Sequence, residues 1–217
     1  VKLYGYWRSS SAWRVRIALH VKGIAYESVP VNIAPNVAEH TSAAFSDVNP
    51  LQQVPTLEWE EAGATLRLTQ SVAIVEYLEQ HKPEPALLPK AALSRARVRE
   101  AVEIVNSGIQ PLQNSWALKE VRRLLDEAAA TRWAASAMLP GLRALEVHAE
   151  RYAGRYSIGD ELSLADLYLV PQLYNARRFA VDLSRFERLL AVETRLNELD
   201  AFVRARPEVQ SDAVPVA

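Results

Sequence analysis

The sequence predicts an α/β domain with the element order βαβ–ββα, followed by a domain built only of helices. The first third of the chain alternates strand-length apolar runs with segments of helical period. The stretch 81–89 carries Pro83, Pro85 and Pro89 and reads as a stiff linker. Beyond it the hydrophobic period is helical throughout.

Residues 2–6 form the first expected strand and residues 11–22 the first helix, with Ala12, Val15, Ala18 and Leu19 on one face and Trp13, Ile17 and Val21 beside it. So few strongly polar positions predict a helix covered on most sides, and Gly23 suits its C-terminal stop. Residues 26–31 make the second strand, which closes a βαβ unit with a right-handed crossover. Residues 35–47 read as irregular and partly helical. Pro55 precedes the apolar run 56–59 and, with no N–H to give a ladder, is expected to open the third strand. Ala62-Gly63 is a hairpin turn, and residues 65–68 are the returning strand. Ser71 then stands at the start of a helix with Val72, Val75 and Leu78 on one face.

After the linker, residues 91–120 read as one long helix interrupted at Gly108 and Pro111. Residues 127–152 read as a second, with a break expected at Pro140-Gly141. Ser163 and Asp166 have capping-box spacing and open a helix toward Arg178. Residues 188–206 form the expected last helix, with a frayed tail from Pro207. The domain expectation is therefore residues 1–81, a linker at 82–89, and a helical domain at 90–217.

Composition narrows the chemistry. A chain of 217 residues, 49% of them hydrophobic, fills one large core or two small ones and is not a disordered chain. Net charge is −1, with 7 basic and 9 acidic residues up to Glu84 and 18 and 17 after it, so neither part has the basic footprint of a nucleic-acid binder. No apolar run approaches the ~18 residues of a membrane span. The opening residues read as a strand rather than as a leader, and the absence of cysteine fits the expected cytoplasmic location. There is no cysteine, so a disulfide or a protein-borne sulfur nucleophile is excluded. His20, His40, His81 and His148 are scattered, and no metal site is expected. No Gly-x-Gly occurs, which removes the dinucleotide and phosphate-loop fingerprints.

One stretch concentrates the chemistry that remains. Ser9, Ser10 and Ser11 sit where the first strand hands over to its helix. Serine caps helix starts because its oxygen accepts an orphan backbone N–H. The same place carries the positive end of the helix dipole, so an anion is stabilised there by N–H groups, hydroxyls and dipole together. Capping alone also accounts for the serines, and the stretch by itself leaves both readings open.

The βαβ–ββα order with a proline opening the third strand resembles the thioredoxin-like pattern. Joined through a proline-rich linker to a helical domain, it is similar to a cytosolic glutathione transferase over nearly the whole chain. Ser9-Ser10-x-x-Trp13-Arg14-Val15-Arg16-Ile17-Ala18-Leu19 resembles the signature of the zeta class, which includes maleylacetoacetate isomerase. Gln53-Val54-Pro55, Gln70-Ser71, Ile109 to Asn114, Val170-Pro171-Gln172 and Arg178-Phe179 stand where that class has them. One position departs: Ser11 occupies the place of the usual cysteine. Related maleylpyruvate isomerases also lack that cysteine.

The resemblance implies glutathione as cofactor and a glutathione-dependent cis–trans isomerisation of maleylacetoacetate to fumarylacetoacetate, by thiolate addition, bond rotation and elimination. A free thiol titrates near ~8.5, so a hydroxyl donor and a helix start are needed to lower it. The resemblance puts Ser9 nearest the sulfur, with Ser10 beside it. Val54, before a cis Pro55, is implied to hold the cysteinyl part through its backbone. Gln70 and Ser71 are implied to hold the γ-glutamyl carboxylate, and Gln53 the glycyl end. A dicarboxylate substrate needs cations and enolate stabilisation. Arg8 and, across the cleft, Arg178 are the candidates, since an arginine fork matches a carboxylate. Gln110 and Asn114, one helical turn apart, are further substrate candidates. Trp7 is a candidate wall for the pocket, while Arg14 and Arg16 are expected in buried ion pairs that position the first helix. Maleylpyruvate isomerisation and turnover of small α-halo acids are the rival activities, and a binding module that has lost chemistry is the non-enzyme reading. A two-fold homodimer is the expected assembly.

Overall fold

A computed structural model describes residues 1–61 and 63–215, so Ala62 of the expected hairpin turn lies outside the described residues. The chain forms two compact units, Val1–Pro85 with Leu199–Ala217, and Ala86–Glu198. The boundary falls within the expected linker. The C-terminal residues join the first unit, which corrects the expectation that the helical domain runs from 90 to 217.

The first unit is built on strands β1 (Lys2–Gly5), β2 (Glu27–Pro30), β3 (Thr56–Glu61) and β4 (Ala64–Thr69), in the order β2-β1-β3-β4. β1 runs parallel to β2 and antiparallel to β3, and β3 is antiparallel to β4. Alternation along the strands sends Leu3, Leu57 and Trp59 to one face, where all three are buried. Tyr4 and Glu58 take the other face, where Lys2, at 3.2 Å, and Arg67, at 2.9 Å, pair with the Glu58 carboxylate.

Helix α1 (Ser10–Val21) follows β1, and every residue from Ala12 to Leu19 is buried. It packs against α3 (Ser71–His81) and against α10 (Asp200–Ala205), which explains why the sequence shows no polar stripe on it. Between β2 and β3 lie a single 3₁₀ turn (Glu39–Thr41) and the short α2 (Ala43–Ser46). Lys22 ends α1 with its side chain fully buried. Its ammonium donates to Glu79 on α3 and to the carbonyls of Pro83, at 3.2 Å, and Pro85, at 2.7 Å, tying the linker to the first unit.

The second unit begins with α4 (Ala92–Glu103), a π-helical stretch (Ile104–Ile109), α5 (Gln110–Gln113) and α6 (Ser115–Leu124). The interruption expected at Gly108 and Pro111 is thus a widened turn before the proline. The true break comes at Asn114, whose backbone is extended at ψ 153°. Helix α7 (Glu127–Tyr152) runs unbroken through Pro140, against the expected break. Gly141 explains the pair: a Cβ there would lie 2.4 Å from Ile109 Cγ1, so the glycine admits the π-helical stretch against α7. Met138, the chain's single methionine, is fully buried on the same helix.

Helix α8 (Leu164–Arg178) starts on Asp166, whose carboxylate accepts the Ser163 N–H at 2.8 Å and the Ser157 N–H at 2.9 Å. Burial pushes that carboxyl up, and the same hydrogen bonds pull it down. The expected last helix is split into α9 (Glu187–Leu196) and α10, with Asn197 ending the first. Among the described residues the expected fraying does not begin at Pro207: Pro207–Val209 forms a 3₁₀ turn and Pro207 is buried.

Candidate active site

Three chain crossings meet at one end of the sheet. Tyr4 near the end of β1 pairs with Thr56 at the start of β3, and Thr56 pairs with Thr69 at the end of β4. The segments just beyond these residues are Tyr6 to Ser9, Val54-Pro55 and Gln70-Ser71. Sheet register therefore brings together residues that are far apart in sequence.

Ser9 is the N-cap of α1, with an extended backbone, and its Oγ accepts the Ala12 N–H at 3.3 Å. Accepting uses only a lone pair, so its own O–H stays available to donate to an anion. Ser10 and Ser11 follow inside the first turn. No acidic residue occupies the first turn of α1 or of α3.

Ser71 opens α3 and is 5% exposed. It does not cap: Gln70 holds the cap position in a left-handed backbone, with φ 68°. Ser71 Oγ instead accepts from Arg14 Nη1 at 3.3 Å, which again leaves the hydroxyl hydrogen free to donate. Arg14 is completely buried and brings its charge to the second helix start.

Val54-Pro55 is a cis peptide. Among the described residues no hydrogen bond engages the backbone of Val54, which continues the line of β3 beyond its last paired residue. An unpaired strand segment offers N–H and C=O to an extended peptide. Gln53 is exposed beside it, and its carbonyl accepts from Asn49 Nδ2 at 2.7 Å.

Arg8 is half-buried, with its guanidinium 5.0 Å from the Trp7 ring centroid. Trp7 itself is buried at 2% exposure and is part of the packed turn. Among the described residues Arg16 forms no ion pair, against the expectation. Its guanidinium donates to the carbonyls of Trp7 and Ala205, at 2.9 and 3.0 Å, and more weakly to that of Tyr6. Burial pulls Arg16 down to about 10, so it still carries its charge at neutral pH.

In the second unit, Gln110 begins α5 and Asn114 lies past its end, capping α6 through a 2.7 Å bond to the Ser115 N–H. The two are therefore not on one continuous helical face, as the sequence spacing implied. Arg178 is exposed in the last turn of α8, 5.1 Å from the Phe179 ring centroid. Sequence reasoning missed the partners of Arg14 and Arg16. It also missed that Gln113 and Gln172, both inside the motifs, are buried amides joined to each other at 2.8 Å. Trp116 and Trp133 are exposed in the second unit.

A model of the glutathione S-transferase N-terminal domain matches residues 1–80. A probable maleylacetoacetate isomerase of Drosophila melanogaster is 44% identical over 98% of this chain and 90% of its own length. A solved holo structure described as maleyl pyruvate isomerase, a bacterial glutathione S-transferase in the zeta class, is 44% identical with a TM-score of 0.93, covering 99% of this chain and 100% of that one. The structure of a maleylacetoacetate isomerase from Anaeromyxobacter dehalogenans, with glutathione bound in its active site, is 49% identical with a TM-score of 0.91, over 98% and 97% of the two chains. Likeness of this extent in both sequence and fold leaves one assignment: the chain belongs to the zeta class of glutathione S-transferases, the family of the maleylacetoacetate isomerases.

Proposed function

We propose that this chain is an enzyme that isomerises the cis double bond of maleylacetoacetate with glutathione as cofactor. The observation that carries the reading is the meeting of two helix starts, each with a serine whose hydroxyl hydrogen is free, beside the unpaired backbone of Val54. That arrangement fits an extended anionic peptide carrying a thiol. Val54 would pair with its backbone, Gln70 and Ser71 would hold its carboxylate end, and Gln53 its other end. Ser9, with Ser10 beside it, would donate to its sulfur.

Bound glutathione supplies a thiolate able to add reversibly to the substrate's double bond. The chain's own part is to make that anion available at neutral pH. The Ser9 hydroxyl and the α1 dipole favour the charged sulfur. Arg8, Arg14 and Arg16 add positive charge near the helix starts. Arg8 and Arg178 match substrate carboxylates as planar forks, and Gln110 and Asn114 are further substrate contacts. No dedicated proton carrier is needed, because the cofactor returns unchanged.

Maleylpyruvate is the second reading, favoured by Ser11 at the cysteine position and by equal identity, 44%, to relatives of either name. We place the enzyme in the cytoplasm, in aromatic amino-acid breakdown, as a homodimer. Spectrophotometric assay of both substrates with and without glutathione tests the reading. Faster turnover of maleylacetoacetate, dependent on glutathione, is expected; equal rates without glutathione overturn it.

A further inference from the structure

The turn that delivers Ser9 to its helix is held from the other end of the chain. Residues 6–9 close on a 2.9 Å hydrogen bond from the Ser9 N–H to the Tyr6 carbonyl. Inside that turn, Trp7 is buried and its two backbone groups point away from the helix ladder. Its carbonyl accepts from Arg16 Nη2 at 2.9 Å, and its N–H donates to Asp212 Oδ2 at 2.9 Å across 205 positions of sequence. Arg16 also holds the Ala205 carbonyl at the end of α10, so both clamps run from the first helix and its turn to the C-terminal segment.

The tail is built to present that carboxylate. Gln210 Nε2 donates to the carbonyls of Arg204, at 3.1 Å, and Arg206, at 2.8 Å, and the Gln210 N–H closes on Pro207 at 3.1 Å. The Ala213 N–H returns to the Gln210 carbonyl at 3.0 Å, which fixes Asp212 between them. Without Asp212 the Trp7 N–H would be a buried donor with no acceptor, and the turn would have to move to find water.

We propose that Asp212 is a positioning residue for Ser9: its carboxylate anchors the Trp7 N–H and thereby sets where the Ser9 hydroxyl stands at the start of α1. The inference rests on the reading of Ser9 as the donor to the glutathione sulfur. Asp212 touches neither cofactor nor substrate in this account; it acts through the turn.

The test compares Asp212→Ala and Asp212→Asn with the wild-type chain, following kcat, the KM for glutathione, and the ultraviolet absorbance of the bound thiolate against pH. Loss of a charge-assisted acceptor is expected to lower kcat about tenfold in Asp212→Ala and to move thiol ionisation to higher pH. Asn keeps an oxygen that accepts the same N–H, so Asp212→Asn recovers most of the loss. An Asp212→Ala enzyme with an unchanged titration overturns the proposal, as does an Asn variant no better than Ala. Hydrogen exchange of the wild-type Trp7 amide tests the clamp without any variant: slow exchange is expected, and exchange at the rate of a free amide overturns it. A wild-type chain that gives no thiolate signal at all refutes the Ser9 reading itself, and the positioning role falls with it; the Trp7 exchange rate tells the two failures apart.

Discussion

Ser9 uses one hydroxyl in two directions. Its oxygen accepts the Ala12 N–H, and its hydrogen is left for an anion. Replacement by alanine removes both functions, with separable effects. Loss of the cap costs about 1 kcal/mol of stability, a small drop in the melting temperature. Loss of the donor to sulfur lowers kcat/KM about a hundredfold and moves the thiol of bound glutathione back toward its ordinary range. Steady-state kinetics beside a thermal melt separates the two, and near-wild-type turnover would remove Ser9 from the chemistry. The places of Ser9 and Ser71 at helix starts are legible in the sequence because helix boundaries are signalled locally. Arg14 and Asp212 were not, because their partners lie 57 and 205 positions away and only the fold supplies them.

Strand and helix order followed from period and punctuation, but the behaviour of prolines depended on neighbours the sequence does not show. The sequence predicts a break in α7 at Pro140-Gly141, yet the helix continues through both, and Gly141 lets Ile109 pack directly against its backbone. Gly141→Ala is therefore expected to destabilise the protein by about 2 kcal/mol through overpacking, even though alanine is the better helix former. Trimming the opposing side chain in the double variant Ile109→Val with Gly141→Ala should recover part of the loss, as a denaturation cycle of the four proteins would reveal. The sequence predicts one continuous last helix because the apolar period persists across Asn197. The chain instead turns there, and α10 packs on α1.

The sheet makes a prediction of its own. The Arg67 hydrogen bond foremost, with Lys2, holds Glu58 below its ordinary value of 4.5 despite partial desolvation. A carboxyl with a depressed folded-state pKa adds stability above its unfolded value, and that stability is lost as pH falls through the folded value. Wild type is thus expected to exceed Glu58→Gln in melting temperature at neutral pH, with the gap closing below pH 4.5. A gap that stays constant with pH would show that the ion pairs contribute nothing.

For the whole molecule, the two-unit division followed from the linker prolines, but the return of the C-terminal segment to the first unit did not. In sequence that segment reads only as the end of a helix and a tail, and its place is set by α10 and the Asp212 contact. Light scattering is expected to give twice the chain mass of 24.2 kDa, as a homodimer requires. A mass of one chain would reject the dimer. Sulfur offers a last consequence. The chain has no cysteine, and its one thioether, Met138, is sealed inside α7. Peroxide therefore finds no accessible sulfur on the protein to damage. Its working rate under oxidative stress would follow the supply of reduced tripeptide in solution, and would return in full once that supply is renewed.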